Sequence, residues 1–303
     1  MTYHILKNKI DVSIIIVNYN TRQMTSECIE SIFQNTKHNT FEIILIDNAS
    51  ADGSKNFFRK DTRINYIYLK NNIGFGRANN IGIENANGKY IFLLNSDTIL
   101  MGDIIKKLFE FAEKHIDIKL GALGTCLIDN LGKDNLSFSE FPTPYRIYHR
   151  IYEKIGLCKS YELKIYKELE KNGFAAVDHI TGADLFIPKT VVKHIGKFDP
   201  SFFMYFEETD LEKRMANAGY TRIILNLRKI IHLEGGSFKK KRKQFQRDTL
   251  IIKSMNLYIR KHFCGIHQIH IRILIFLTKL PSIVNTNYTY REKINLLKLI
   301  IYG

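Results

Sequence analysis

The densest group of acidic side chains lies in the segment FEETDLEKR, where Glu207, Glu208 and Asp210 follow the mostly aromatic run FFMY. Apolar surroundings raise the pKa of a carboxyl group, and a like charge beside it does the same, which is how a general base is tuned. The same carboxylates can instead favour the positive end of a helix dipole, because a helix is predicted to begin there. The segment therefore indicates either a catalytic base or a stabilised helix start.

A second acidic candidate stands in LLNSDT, where Asp97 follows Asn95 and Ser96 at the end of a very apolar run. Their oxygens suit Mg²⁺ or Mn²⁺, which proteins usually bind through one or two carboxylates plus substrate phosphates. His232 in HLEGGS is a further candidate ligand, although a lone histidine is more often structural unless other ligands converge on it. We expect an Asp97–His232 metal pair; the alternative for Asp97 is the N-cap of a helix starting near Gly102.

Two loops rich in glycine and asparagine are candidates for contact with a nucleotide. In DNASADGS, Asp47 follows a strand-like run, and its carboxylate can accept hydrogen bonds from a ribose or a base N–H, while Asp52 or Ser50 can equally cap a helix. In NNIGFGRANN, Gly74 allows close backbone approach and Arg77 opens a helix, a combination that favours an anion. This GxG follows the third strand rather than the first, which argues against NAD binding.

These residues need a scaffold that brings loops together, and the first half of the chain predicts one. Short runs rich in branched apolar residues alternate with amphipathic segments, the pattern of parallel strands joined by crossover helices. The strand-like runs are VSIIIV (12–17), FEIILI (41–46), INYIYL (64–69) and KYIFLL (89–94), and 21–34 suits a helix. Ligands bind outside the carboxyl ends of such strands, so the polar loops after them should line one crevice.

The second half has a weaker pattern. FPTPYRIYHRIYEK mixes prolines with aromatic and basic residues and is typical of a mobile loop. Beyond it, VDHITGADLFIP predicts a strand, EETDLEKRMANAGY a helix closed by Gly219, and TRIILNL a further strand. A tail rich in lysine and isoleucine follows. We therefore predict a catalytic domain over 1–238 and a basic, helical extension over 239–303.

Composition and charge exclude several classes of protein. A chain of 303 residues with 45% hydrophobic residues can bury a substantial core, which excludes disorder and a small disulfide-stabilised fold. The net charge is +15, but 239–303 holds 14 basic and 2 acidic residues, which leaves 31 and 28 in the first 238. The four cysteines lack CxxC spacing, which favours a reducing cytoplasm over a zinc ribbon or disulfides. We expect no signal peptide and no membrane span.

Taken in order, the motifs resemble those of the inverting family 2 glycosyltransferases, specifically the branch of bacterial rhamnosyltransferases and related polysaccharide enzymes. The matching segments, within about 11–238, are VSIIIVNYN, DNASADGS, NNIGFGRANN, LLNSDT, TGADLFIPK, FDPSFFMYFEETDLEKRMANAGY and HLEGGS. The resemblance implies an α/β protein of the GT-A fold, whose Rossmann-like nucleotide-binding half and acceptor half share one mixed central sheet. It also implies a nucleotide-sugar donor, a divalent cation (Mn²⁺ or Mg²⁺) and a glycan acceptor that is often lipid-linked.

The resemblance further assigns roles to individual residues. Asp97 matches the last acidic residue of the family's DXD-like metal motif, whose first position is Asn95 here, and His232 is a further metal ligand. Glu208 matches the second acidic residue of the ED motif, which is the expected base. Glu207 and Asp210 would hold the acceptor or cap the helix. The residues expected around the donor are Asn18, Asn20, Asp47, Asn72, Gly74, Arg77, Asn79 and Asp97.

The basic tail predicts a partner of its own. KKKRK (239–243) and the cationic, apolar segments after it can lie on an anionic bilayer, which would bring a cytoplasmic enzyme to lipid-linked acceptors at the inner face of the cell membrane. Alternatively, the tail packs as a helical cap on the domain or forms a homodimer contact.

Three other functions remain as alternatives. Nucleic-acid binding is not expected, because the basic surplus lies outside the motif-bearing region and no recognition motif is apparent. A nucleotidyltransferase would carry a glycine-rich basic loop where this chain has NYNTRQ. A catalytically degenerate carbohydrate-binding relative is compatible with Asn95 in the metal motif.

Overall fold

The computed structural model describes residues 9–115, 117–154, 156–233, 241–284 and 288–302. In the first half, strands alternate with helices as the sequence predicts. These elements are β1 (Val12–Asn18), α1 (Arg22–Asn35), β2 (Phe41–Asp47), α2 (Ser54–Phe58), β3 (Asn65–Tyr68), α3 (Phe75–Asn85) and β4 (Tyr90–Asn95). β1 pairs in parallel with β2 and β4, and β2 with β3, which confirms the predicted parallel arrangement.

The second half adds seven strands and five helices to the part of the chain that the structure describes. They are β5 (Thr98–Leu100), α4 (Ile104–Lys114), β6 (Leu120–Ile128), β7 (Phe138–Ser139), α5 (Pro144–Lys154), α6 (Tyr161–Asn172), β8 (Phe174–Val177), β9 (His179–Ile180), β10 (Asp184–Pro188), α7 (Lys189–Ile195), α8 (Glu207–Asn217) and β11 (Thr221–His232). The prediction of one strand for VDHITGADLFIP was wrong, because this segment spans the end of β8 and all of β9 and β10. The three pair with different partners: β8 with β11, β9 with β7, and β10 with β4 and β6.

The prediction of a mobile loop for FPTPYRIYHRIYEK was also wrong, since the segment contains α5. Pro144 occupies the first helical position, where its fixed φ suits a helix start. Arg146 is buried and forms ion pairs with Glu140 and, at 3.0 Å, with Glu153. This buried ion-pair group fixes the helix, and the prolines that suggested a loop precede or open it.

Among the described residues, the main sheet has nine strands in the order β3-β2-β1-β4-β10-β6-β11-β5, with β8 beside β11. β10 runs antiparallel to β4 and β6, so the sheet is mixed, as predicted. Alternate residues of β1 point to opposite faces of the sheet. Ile14 and Ile16 belong to the core on the α1 side, and Ile15 and Val17 to the core on the α3 side.

The tail forms the helices α9 (Lys241–His262), α10 (Gly265–Val284) and α11 (Tyr290–Tyr302). They share a third apolar core, which includes Ile259, Ile275 and Leu296 and reaches Ile147 of α5 and Phe206. No helix among the described residues is long and apolar enough to cross a membrane. The predicted boundary between 238 and 239 lies outside the described residues and stays a prediction.

Candidate active site

The carboxyl ends of three neighbouring parallel strands meet at one edge of the sheet. Asn18, which ends β1, is in register with Asp47 at the end of β2, and Val17 is in register with Asn95 at the end of β4. The polar loops that follow these strands therefore lie side by side, in the position where parallel sheets bind ligands.

The structure brings the predicted metal pair together at this edge. β5 and β11 are antiparallel, with Thr98 opposite His232, and the Leu233 backbone N–H donates to the carbonyl oxygen of Asp97 at 3.0 Å. As a result, Nε2 of His232 lies 3.3 Å from Oδ1 of Asp97 and 3.5 Å from Nδ2 of Asn95. The alternative role of Asp97 as a helix N-cap is wrong, because α4 is capped by Asp103, which accepts from the Lys106 N–H.

The side chains of this pair fit a divalent cation with few protein ligands. Asp97 and His232 are 18% and 13% exposed, so both can be reached from solvent. Two donors 3.3 Å apart can both contact one cation at about 2.1 Å. Within the described ranges, no group of three or more His, Cys, Asp or Glu side chains could hold a metal. Substrate phosphates and water would have to complete the coordination, the mode typical of Mg²⁺ and Mn²⁺.

Helix α8 begins with two adjacent glutamates in different surroundings. Glu207 is 3% exposed, and its Oε2 has no hydrogen-bond partner among the described residues. Burial, together with the charge of Glu208, raises the pKa of Glu207 well above its ordinary value. Glu208 is partly exposed, and burial raises its pKa as well. Of the two, Glu208 is therefore the carboxylate that both holds a raised pKa and remains open to a substrate.

A three-residue segment, 182–184, links Glu208 to the metal pair. A Cβ placed on Gly182 would lie 3.6 Å from the Cβ of Glu208, so the segment packs directly against this side chain. The next residue, Ala183, accepts a hydrogen bond at its carbonyl oxygen from the Asn95 N–H at 2.9 Å. Asn95 in turn contacts His232. One short backbone segment thus connects the expected base, which packs directly against it, with the expected metal ligands, which reach it through Asn95.

Asp210, the third acidic residue of the motif, is an ion-pair centre. Its side chain is fully buried, with Nε of Arg214 at 3.0 Å, Nζ of Lys261 at 2.8 Å and Nε2 of His262 at 2.8 Å. Burial acts to raise its pKa, but hydrogen bonds from His262 and Lys261 and the charge of Arg214 lower it to about 2. Asp210 has no exposed surface for an acceptor and joins α8 to α9.

Two buried carboxylates near the site were not singled out from the sequence. Glu212 accepts from the Ile180 N–H at 2.9 Å, and burial raises its pKa well above the ordinary value. Asp184 accepts from the N–H and the hydroxyl of Thr125, both at 2.7 Å, and burial raises its pKa to about 7. Glu212 stands four residues after Glu208, the spacing that puts both on one helix face, so that signal was available. An aspartate opening the apolar run DLFIP was the weaker signal for Asp184.

The predicted residues of the first two strand-end loops largely bind one another. Asn18 is fully buried, donates to Ser50 Oγ at 3.1 Å and accepts from the Thr25 hydroxyl at 3.0 Å. Asp47 is also fully buried and accepts from the Ser50 N–H at 2.8 Å and the Tyr66 hydroxyl at 2.6 Å. Asn20 is exposed beside them, with its Oδ1 accepting from the Ala51 N–H at 2.7 Å. Asn18 and Asp47 hold the two loops together, and Asn20 faces solvent.

The predicted residues of the third loop pack against the segment before α8. Gly74 has φ +91°, and a Cβ on it would lie 2.3 Å from the Phe203 carbonyl oxygen, which accepts from the Phe75 N–H. Asn72 accepts from the Gly74 N–H at 3.0 Å. The two remaining residues bond to backbone carbonyl oxygens: the exposed Arg77 to that of Pro200 at 2.5 Å, and the buried Asn79 to that of Phe75 at 3.2 Å. At the start of α3, the Phe75 N–H is therefore bound by the chain's own backbone, at the Phe203 carbonyl oxygen.

Residues 13–174, more than half of the chain, match the model of the family described as glycosyl transferase family 2. The chain belongs to this family. The matched range contains the strand-end loops and Asp97 and ends before α8 and β11, so the positions of Glu208 and His232 rest on the geometry above. The prediction of a family 2 glycosyltransferase is thereby confirmed.

Two curated relatives illustrate the similarity. The glycosyltransferase GlyG of Streptococcus pneumoniae is 35% identical over 115 residues, which cover 36% of this chain and 38% of that protein. The low-salt glycan biosynthesis hexosyltransferase Agl10 of Haloferax volcanii is 27% identical over 204 residues, which cover 66% of this chain and 60% of that protein. The chain thus spans less than two thirds of either relative.

A solved structure confirms the predicted fold class. The crystal structure of residues 1–349 of TarS from S. aureus superimposes with a TM-score of 0.52 and covers 96% of this chain and 71% of that one. At 13% identity, this likeness speaks for the fold alone. The protein is a mixed α/β protein of the GT-A fold with a helical C-terminal region.

Proposed function

We propose that this family 2 member transfers a sugar from a nucleotide-diphosphate donor to a glycan hydroxyl with inversion at the anomeric carbon. The observation that carries the proposal is the arrangement around 182–184, where Glu208 packs against Gly182, and Asn95, which lies beside the Asp97–His232 pair, is hydrogen-bonded to Ala183. A base and a pair that would bind the diphosphate, connected through one backbone segment, can act on the two ends of a single displacement.

In this mechanism, Glu208 accepts the proton of the acceptor hydroxyl. The hydroxyl oxygen forms a bond to the anomeric carbon while the bond from that carbon to the diphosphate oxygen breaks, and the nucleoside diphosphate leaves with the electron pair. One displacement inverts the configuration and needs one carboxylate base, unlike the paired carboxylates of glycoside hydrolases. The raised pKa of Glu208 makes its carboxylate a better proton acceptor near neutral pH.

Asp97 and His232 would hold a divalent cation, with Mn²⁺ favoured over Mg²⁺ by the imidazole ligand. Such a cation supplies positive charge that offsets the charge on the leaving diphosphate. Asn95 lies close enough to His232 to orient its ring. With only two protein ligands, donor phosphates and water would have to complete the coordination.

We propose dTDP-rhamnose or a UDP-sugar as the donor, since the motif order resembles the rhamnosyltransferase branch. The proposed acceptor is a growing, lipid-linked glycan of bacterial surface polysaccharide synthesis. The names of relatives support this class: one is a hexosyltransferase of glycan biosynthesis, and another is a putative teichuronic acid biosynthesis glycosyltransferase of Bacillus subtilis, TuaG. The proposed place of action is the cytoplasmic face of the cell membrane.

The test is a thermal-shift panel of dTDP-rhamnose and UDP-sugars with Mn²⁺, Mg²⁺ or EDTA, followed by NMR assignment of the product anomer. We expect one donor to raise the melting temperature only when cation is present. His232→Ala should weaken donor binding in Mn²⁺ by about tenfold or more. His38→Ala, in the His38–Asp103 pair at 2.6 Å, is the matched control and should bind donor normally.

Two results would contradict the proposal. If the donor raised the melting temperature equally in EDTA and in Mn²⁺ or Mg²⁺, Asp97 and His232 would not bind a metal needed for donor binding. Tight donor binding by the wild-type protein without transfer to any glycan acceptor would instead select the degenerate carbohydrate-binding relative.

A further inference from the structure

Helix α10 carries an apolar stripe that faces away from the protein. Ile271 and Ile275 are buried in the core that the tail helices share, and Leu274 is buried as well. Another set of apolar residues recurs at spacings of three and four residues and lies 52–76% exposed: Ile266, Ile269, Ile273 and Leu277. A helix with apolar residues on both its packed and its outward side is unusual at a water-facing surface.

Helix α5 extends this stripe with aromatic residues. Tyr145, Tyr148 and Tyr152 share one helix face through the same spacing, and they are 74%, 38% and 49% exposed. The hydroxyl of Tyr148 lies 2.6 Å from Nε2 of His270 on α10, so the two stripes adjoin. We name these seven side chains, the three tyrosines together with Ile266, Ile269, Ile273 and Leu277, the α5–α10 face. Contiguous apolar surface of this kind marks an interaction site in a soluble protein.

Charge indicates what this face binds. The residues 239–303, which include α10, hold 14 basic and 2 acidic residues. A second copy would bring two such regions together and would be opposed by their like charge. An anionic bilayer attracts basic residues near its surface, and it accommodates tyrosine at the headgroup level and aliphatic side chains just below.

We propose that the α5–α10 face seats the protein on an anionic membrane surface, with α10 lying in the plane of the interface. The contact then includes α5, which precedes the basic tail in the chain by about 90 residues, and does not depend on the lysine run alone. The biological purpose rests on the proposed function, since a lipid-linked acceptor would be met at that surface. Membrane binding itself requires no sugar transfer and is tested separately.

The experiment is vesicle co-sedimentation of the full chain with phosphatidylcholine vesicles and with phosphatidylcholine–phosphatidylglycerol vesicles. We expect binding to the anionic vesicles only, weakening as salt is raised. The triple variant Ile269→Ser, Ile273→Ser, Leu277→Ser should lower the partition coefficient by about tenfold or more. The double variant Tyr145→Ser, Tyr152→Ser should lower it by a smaller factor.

The matched control is Leu131→Ser, Leu136→Ser, which removes two apolar side chains that are 74% and 60% exposed elsewhere on the surface. It should bind vesicles like the wild type. Wild-type binding that the triple variant leaves unchanged would overturn the proposal. The proposal would also be overturned if the wild type bound no vesicles and formed a dimer that the triple variant converts to monomer. That result would make the face a dimer interface. Donor-induced thermal shifts in the same variants report on the proposed function independently.

Discussion

Helix α8 holds carboxylates in opposite electrostatic states on its two sides. On one side, Asp210 is surrounded by cationic side chains, including His262 and Lys261, and its pKa falls to about 2. On the other side, Glu208 and Glu212 lie one helical turn apart, and burial raises the pKa of each. A carboxylate that is permanently ionised and paired can anchor structure, whereas one with a raised pKa can exchange a proton near neutral pH. Within its three turns, α8 therefore carries one carboxylate that anchors structure and two that can exchange a proton.

The anchoring side also supports the turn that leads into the base. Tyr205 and Phe206 have φ values of 70° and 66°, a left-handed conformation that is costly for such residues. The Ser254 hydroxyl of α9 donates to the Met204 carbonyl oxygen at 2.7 Å, just before this turn. Asp210, four residues after Phe206, is bound by the end of the same helix. The tail helix α9 thereby holds the strained turn from which Glu208 is presented.

The largest effect is expected from Glu208→Gln. Loss of the base should lower kcat by about 10³-fold, while donor affinity stays near the wild-type value. In the wild type, activity should be lost as pH falls through a pKa higher than the ordinary glutamate value of 4.5, because the base must be ionised. Steady-state kinetics and calorimetric donor binding measure both. Glu207→Gln, at the neighbouring buried position, is the control and should lose much less activity; full activity in Glu208→Gln would contradict the assignment.

Asp210→Asn should cause the next largest effect, on stability. It would leave Arg214, Lys261 and His262 without their buried carboxylate, at a cost of about 3 kcal/mol in the free energy of unfolding at pH 7. Urea unfolding measures this cost. Asp199→Asn is the matched control, since Asp199 also pairs with Lys261, at 2.6 Å, but is 23% exposed and should cost less than about 1 kcal/mol. Equal costs for the two variants would remove the special role of Asp210.

The pH dependence of this anchor has a definite sign. The folded-state pKa of Asp210, about 2, is below the ordinary value of 3.8, so ionised Asp210 stabilises the fold above pH 4. That contribution, about 2 kcal/mol, should disappear as pH falls from about 4 to 2. The stability difference between wild type and Asp210→Asn should therefore narrow over that interval.

Local patterns were enough to predict the parallel strands whose ends form the site's edge. The apolar runs before Asn18, Asp47 and Asn95 predicted parallel strands, because buried parallel strands are nearly continuous in branched apolar residues. Their ends then had to share one edge, and the structure places Asp97 and His232 together there. The placement of Asn95 and of the loop after it at this edge followed from strand periodicity and strand-end position. The approach of His232 to Asp97 depends on the antiparallel pairing of β5 with β11, which the sequence did not predict.

Long-range contacts account for what could not be predicted. Lys261 and His262 lie 51 and 52 residues after Asp210, and their spacing gives no sign that they pair with it. The internal use of Asp47 likewise depends on Tyr66, which comes from the next strand. A carboxylate in a loop has the same local sequence whether its partner is a ligand or the chain itself, so only the folded structure distinguishes the two.

The smallest effect, and the sharpest test of the contrast across α8, is expected from Glu212→Gln. Because burial raises the folded-state pKa of Glu212, its contribution to stability is fully present below the unfolded value of about 4.5 and is lost as pH rises through the folded-state pKa. Glutamine does not titrate and still accepts from the Ile180 N–H, so the variant should match the wild type in acid and become the more stable protein as pH rises. Urea midpoints between pH 5 and 9 measure the difference. The expected change in stability is opposite in sign to that of Asp210→Asn. A Glu212→Gln protein that is less stable than wild type at pH 9 would show that other groups offset the charge of buried Glu212.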